Sequence, residues 1–163
     1  MLWGIHVVNI LCGRRLIYLG LVPRRLSGLP GIVAAPFLHA DFPHLFFNTV
    51  PLVMLIPYFL QGGYGAFFTI TAWIVGLGGV LTWLLGRNAI HIGASGLVMG
   101  YWGYVLVATW LAPSAAAILL ILVFIYYFGG FLASLIPVDE CSSYEGHLLG
   151  LLSGMVVAYS QLS

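Results

Sequence analysis

Ser95 stands in the run Gly93-Ala94-Ser95-Gly96, where a short loop meets a long apolar stretch. A serine hydroxyl at its ordinary pKa is a poor nucleophile and needs a base within hydrogen-bonding reach. His147, in the run His147-x2-Gly150-x3-Gly154, lies just inside the start of the last apolar stretch and is the histidine whose depth matches. At the first turn of a helix, unpaired N–H groups and the positive end of the dipole favour a developing oxyanion, which is where Ser95 falls. His44 and Asn48, one helical turn apart, project from one face of another helix and can donate hydrogen bonds to a tetrahedral oxyanion. A nucleophile, a base and two donors are the parts of an acyl-transfer site. Taken singly, each also fits a structural role, because serine N-caps, membrane glycines and buried histidines are common. Their conjunction at one depth carries the reading.

The remaining polar residues read as supporting cast. His39 and Asp41 form a polar anchor at the mouth of the helix carrying His44, while His6 and His91 have no partner that the sequence identifies. Asp139, Glu140 and Glu145 read as solvated loop charges, and none is placed as a third catalytic member, so the site is predicted to be a dyad. Tyr126, Tyr127, Phe128 and Phe131 read as lipid-facing or packing aromatics, one of which could gate substrate access. Cys12 and Cys141 show no CxxC or Cys/His ligand spacing and read as free thiols, so no metal and no cofactor is implied. With a formal net charge of +1 and no basic run, the chain gives no reason to propose a nucleic-acid partner.

The elements that must position these residues follow from composition. Of 163 residues, 62% are hydrophobic and 6% charged, whereas about a quarter of a soluble domain is charged. The apolar blocks are long enough to cross a hydrocarbon core of about 30 Å as helices. A barrel would need strands of about ten residues alternating apolar with polar, and residues 115–127 do not alternate. The sequence therefore predicts an all-α membrane protein, a single domain over residues 1–163, with six transmembrane helices at about 1–12, 44–60, 64–85, 94–111, 114–136 and 145–162.

The first of these would span only about 18 Å and reads as the second half of a membrane helix, either continued upstream or short enough to thin the bilayer. It lacks the basic start of a secretory signal. Residues 14–41, broken by Pro23, Pro30 and Pro36 and carrying paired arginines, form a greasy basic loop expected to lie partly in the headgroups. Pro51 and Pro57 are expected to kink the second helix. Counting crossings puts loops 14–41, 86–93 and 137–144 on one face. Gly96, Gly100 and Gly103 on the fourth helix and Gly146, Gly150 and Gly154 on the sixth have the small-residue spacing that lets two membrane helices pack closely. That packing would bring Ser95 and His147 together.

In these motifs the chain resembles the rhomboid family. His39-x4-His44-x3-Asn48 matches the family's second-helix signature, Gly93-Ala94-Ser95-Gly96 its nucleophile motif and His147-x2-Gly150-x3-Gly154 its last-helix motif, over essentially the whole chain from about Gly20. The resemblance implies a rhomboid-like six-helix intramembrane serine endopeptidase that cuts membrane-spanning segments of single-span or multi-span proteins in the lipid bilayer. Ser95 would be the nucleophile, His147 the general base, and His44, Asn48 and the Ser95 backbone N–H the oxyanion hole, with Gly93, Gly96, Gly150 and Gly154 as structural glycines. It also implies a bacterial cytoplasmic membrane with the site facing outward, loop 137–144 capping it and the fifth helix bordering substrate access. Met99 stands where many relatives carry an aromatic ring against the catalytic histidine, and the first loop lacks their tryptophan-arginine signature. All five arginines fall on the face that should be extracytoplasmic, against the positive-inside rule. The rival reading is a non-catalytic rhomboid-like protein that holds membrane helices. A transporter would spread polar residues through the midplane, and here they crowd toward one end.

Overall fold

The computed structural model describes residues 1–133 and 144–163, in which every regular element is helical. The six long helices are α1 (Leu2–Leu11), α3 (Phe42–Leu60), α4 (Gly63–Leu85), α5 (Ser95–Leu111), α6 (Ala115–Ala133) and α7 (Tyr144–Leu162), with a single-turn α2 (Gly31–Ala34) in the first loop. The polar loop expected up to Tyr144, the end of the fifth helix beyond residue 133, Cys141 and the side chains of Phe128 and Phe131 lie outside the described residues. Cys12 is exposed and unpaired.

Helix limits follow local chemistry. Asp41 caps α3 by accepting the His44 N–H at 2.8 Å, so the helix begins two residues before the predicted start. Pro43 is tolerated there because first-turn N–H groups have no helical partner. Pro51 and Pro57 lie inside α3, which remains one helical element across both. At 19 and 23 residues, α3 and α4 are long and apolar enough to cross a membrane, covering about 28 and 34 Å. Trp73, Trp110, Tyr126 and Tyr127 point outward, as befits side chains solvated by lipid.

α5 is the buried centre of the bundle. Phe59 of α3 packs at a tilt on its Tyr101 with ring centroids 4.3 Å apart, Trp102 stacks on Phe124 of α6 at 5.0 Å, and Thr71 of α4 shares a 2.6 Å hydrogen bond with the Tyr101 hydroxyl. Its fourth side is a glycine seam with α7. A Cβ on Gly96 would stand 3.1 Å from the Gly146 carbonyl oxygen, one on Gly150 would stand 2.8 Å from the Gly96 carbonyl carbon, and one on Gly154 would stand 2.9 Å from the Gly100 α-carbon. Main chain touches main chain there, as the small-residue spacing predicts.

The first loop is less irregular than its prolines suggest. Short helical turns cover Arg15–Leu19, Leu26–Gly28, Gly31–Ala34 and Ala35–Phe37. The loop is stitched to the end of α4 and to the turn before α5. Leu21 and His91 exchange two backbone hydrogen bonds of 3.0 and 2.8 Å. Arg24, in the left-handed region at φ 57°, donates to the Gly86 carbonyl at 2.7 Å and the Leu84 carbonyl at 3.3 Å, and Trp83 Nε1 donates to the Arg25 carbonyl at 2.9 Å. A guanidinium on terminal carbonyls is the favoured complement to a helix C-terminus. These ties put the first loop and the 86–93 loop at one end of the bundle, as the crossing count predicts.

Candidate active site

The site grows from the start of three helices. With α3 fixed by the Asp41 cap, His44 falls in its first turn and Asn48 one turn deeper, where the Asn48 amide donates to the His44 carbonyl at 2.7 Å. Asn48 is buried, and its Oδ1 has no hydrogen-bond partner among the described residues. The His44 ring lies against Gly93 and meets His39 edge-on with centroids 5.0 Å apart.

Gly93 has φ +111°, a conformation that suits a residue without Cβ. Its N–H donates to the Ala35 carbonyl at 2.9 Å, and the next N–H, of Ala94, points at His39 Nε2 at 3.4 Å. Accepting there requires His39 to be neutral at Nε2. Burial, followed by the neighbouring His44, pulls its pKa down to about 4. The first loop therefore grips the two residues ahead of Ser95, and His39 anchors that turn as well as the mouth of α3.

Ser95 is the first residue of α5, half-buried, on the wall of a cavity of about 70 Å³ shared with Thr82, His91, Gly93, Gly96, Gly146 and Gly150. The first intrahelical bond of α5 is Val98 N–H to the Ala94 carbonyl, so the N–H groups of Ser95, Gly96 and Leu97 precede the ladder. His147 is half-buried in the first turn of α7. Ser95 and His147 are the chain neighbours of Gly96 and Gly146, which face each other across the seam. The cavity thus gathers Ser95, Gly93, Gly96 and Gly150, and His44 reaches this end through Gly93. His44, Asn48 and His147 do not line the cavity, and Gly154 lies one turn deeper on the seam. Met99 is fully buried one turn below Ser95.

Sequence reasoning missed an ion pair. Glu145, read as a solvated charge, is 9% exposed and lies 3.5 Å from Arg87 Nε, and the Arg87 guanidinium sits over the Tyr144 ring at 5.6 Å. The signal available was topological: opposite charges at the starts of a short loop and of a helix that open on the same face. His91, which sequence left without a partner, pairs through its backbone with Leu21, and its Nε2 lies 3.1 Å from the Arg87 carbonyl. His6 is buried on α1.

Comparison with known proteins places these features in a group. The Rhomboid domain model matches residues 27–163. The uncharacterized protein Rv1337 of Mycobacterium tuberculosis (strain ATCC 25618 / H37Rv) is 37% identical over 168 residues, covering 98% of this chain and 70% of that protein. The uncharacterized protein Mb1372 of Mycobacterium bovis matches with the same identity and coverage. The uncharacterized protein ML1171 of Mycobacterium leprae is 37% identical over 138 residues, or 79% of this chain and 55% of that protein.

Proposed function

The chain belongs to the rhomboid family, and from that premise we propose that it is an intramembrane serine endopeptidase working through Ser95 and His147. The observation that carries this reading is the seam contact of Gly96 with Gly146, which sets the chain neighbours Ser95 and His147 at the starts of two helices in main-chain contact.

The reaction is acyl transfer. His147 takes the Ser95 Oγ proton as Oγ attacks the scissile carbonyl, and the negative charge moves to the carbonyl oxygen. Side-chain donors from His44 and Asn48 and the Ser95 N–H at the positive end of α5 stabilise that oxyanion. Collapse breaks the C–N bond and the leaving amine takes the proton from His147. Water then gives a proton to His147 and its oxygen to the acyl group. The second collapse frees the new carboxyl end and returns the proton to Ser95. Substrates are membrane-spanning segments whose scissile bond has left its helix. Water arrives from the face of loops 14–41 and 86–93, which we assign to the outside of a bacterial cytoplasmic membrane. On that face, Arg24 and Arg87 are engaged with helix carbonyls and Glu145, so charge counting alone is a poor guide to orientation.

The test is cleavage of a labelled single-span membrane protein by the purified chain in detergent, beside Ser95→Ala and His147→Ala. Each variant should lose at least about 10³-fold in kcat. Retained cleavage by Ser95→Ala would overturn the assignment, and a folded parent that binds but never cuts would make it a helix-holding relative.

A further inference from the structure

We propose that Arg87 and Glu145 are positioning residues that set the alignment of His147 on Ser95, an inference that rests on the protease reading above. The glycine seam brings α5 and α7 together but presents few side-chain ridges, and interlocked ridges are what ordinarily fix how two helices are rotated and shifted. Polar ties outside the seam add to the setting of the register of α7. Half-way down, Ser153 of α7 does part of this, its hydroxyl lying 2.6 Å from the Gly150 carbonyl and 3.4 Å from the Ile74 carbonyl of α4. At the reacting end, Arg87–Glu145 is such a tie.

Its place in the chain suits the role. Arg87 is the second residue of the loop that leads from α4 to Ser95, and Glu145 is two residues before His147, so the pair joins the segments that deliver the two reacting side chains. The Tyr144 ring beneath the guanidinium holds it within the range of a cation–π contact. On the other side, the Arg87 carbonyl meets the ring of His91, which lines the cavity with Ser95. Gly86, next to Arg87, receives Arg24 from the first loop. The loop is therefore braced between a fixed neighbour and the mouth of α7.

The energetics point to geometry rather than to stability. Burying a carboxylate costs several kcal/mol before it pairs, and the Arg87 side chain, 31% exposed, gives a partly solvent-screened partner. Glu145 Oε2 has no hydrogen-bond partner among the described residues, so the carboxylate is incompletely compensated even with the α7 dipole favouring it. A costly pair at this spot is best accounted for by the alignment it imposes.

The experiment measures kcat and KM for the detergent-purified chain and for Glu145→Gln, Arg87→Ala, Arg87→Lys and the charge-exchanged double variant R87E/E145R, with the thermal midpoint of each. Misalignment by about 1 Å costs on the order of 10²-fold. Glu145→Gln and Arg87→Ala should therefore lower kcat about 10- to 100-fold, with KM within about twofold and midpoints above the assay temperature. Arg87→Lys or the exchanged pair should recover part of the loss. A kcat within about twofold of the parent in both single variants, or losses that merely follow the melting temperature, would overturn the inference while leaving the protease reading intact. A parent that neither cleaves nor reacts at Ser95 with a fluorophosphonate probe would overturn both.

Discussion

The imidazole of His44 packs on the α-carbon of Gly93 so closely that a methyl group there would stand 2.7 Å from the ring Cε1. This contact ties the face of α3 to the turn that delivers Ser95, and it leaves no room for any other residue at position 93.

Gly93→Ala should accordingly lose both fold and reactivity. The left-handed φ alone costs about 1–3 kcal/mol for a non-glycine residue, and the displaced His44 adds to it. The measurement is the thermal midpoint together with the labelling rate of Ser95 by a fluorophosphonate. Adding His44→Ala should recover part of the midpoint without restoring labelling at the parent rate. A Gly93→Ala protein that melts like the parent would contradict the contact.

Glycines on the seam should differ sharply from glycines elsewhere. Gly150→Ala and Gly154→Ala each push a methyl group into main chain of α5, which cannot step aside as a side chain would, and should cost about 1–3 kcal/mol or more. Gly65→Ala and Gly76→Ala meet nothing within 4 Å and should be neutral or slightly stabilising, since alanine is the better helix former. Unfolding in detergent measured for the four variants decides the matter.

The paired arginines 24 and 25 should not behave alike. Arg24→Ala removes donors from two carbonyls at the end of α4 and should lower stability by about 1–2 kcal/mol. Arg25 contributes its main-chain carbonyl to Trp83, which alanine retains, so Arg25→Ala should change stability by less than about 0.5 kcal/mol.

Acid should weaken the protein through His39. Its native pKa of about 4 lies below the ordinary 6.5, so between those values the unfolded chain binds a proton that the folded chain does not. Stability then falls as pH drops through that window and does not change from this source above it. Thermal midpoints of the inactive Ser95→Ala protein between about pH 7 and pH 4, with and without His39→Asn, isolate the effect; the His39→Asn protein should show the shallower decline.

How much of this was legible in the sequence depends on the range of the interaction. Helix limits such as Leu60, Leu85 and Leu111 follow from local signals, namely the Gln61-Gly62-Gly63 turn, Gly86 and Pro113, and the seam follows from glycines repeated every four residues on α7. The one-turn spacing of His44 and Asn48 was readable for the same reason, since both fall on α3. What escaped were single contacts between loops far apart in the chain, such as Leu21 with His91, Ala94 with His39, and Arg87 with Glu145. No period encodes those, and a buried carboxylate beside a polar loop looks from sequence like a solvated one.

Arg24 finds its acceptors 60 and 62 residues further along the chain. At about 5–20 residues per second of synthesis, roughly 3 to 12 s pass between the appearance of that arginine and the completion of the helix end that receives it. Throughout that interval the side chain is an uncommitted cation beside the growing spans, visible to the insertion machinery and to lipid headgroups. The cation present during insertion and the cap that later closes the end of α4 are one residue at two moments, so an Arg24 variant should be read for topology during biogenesis as well as for stability once folded.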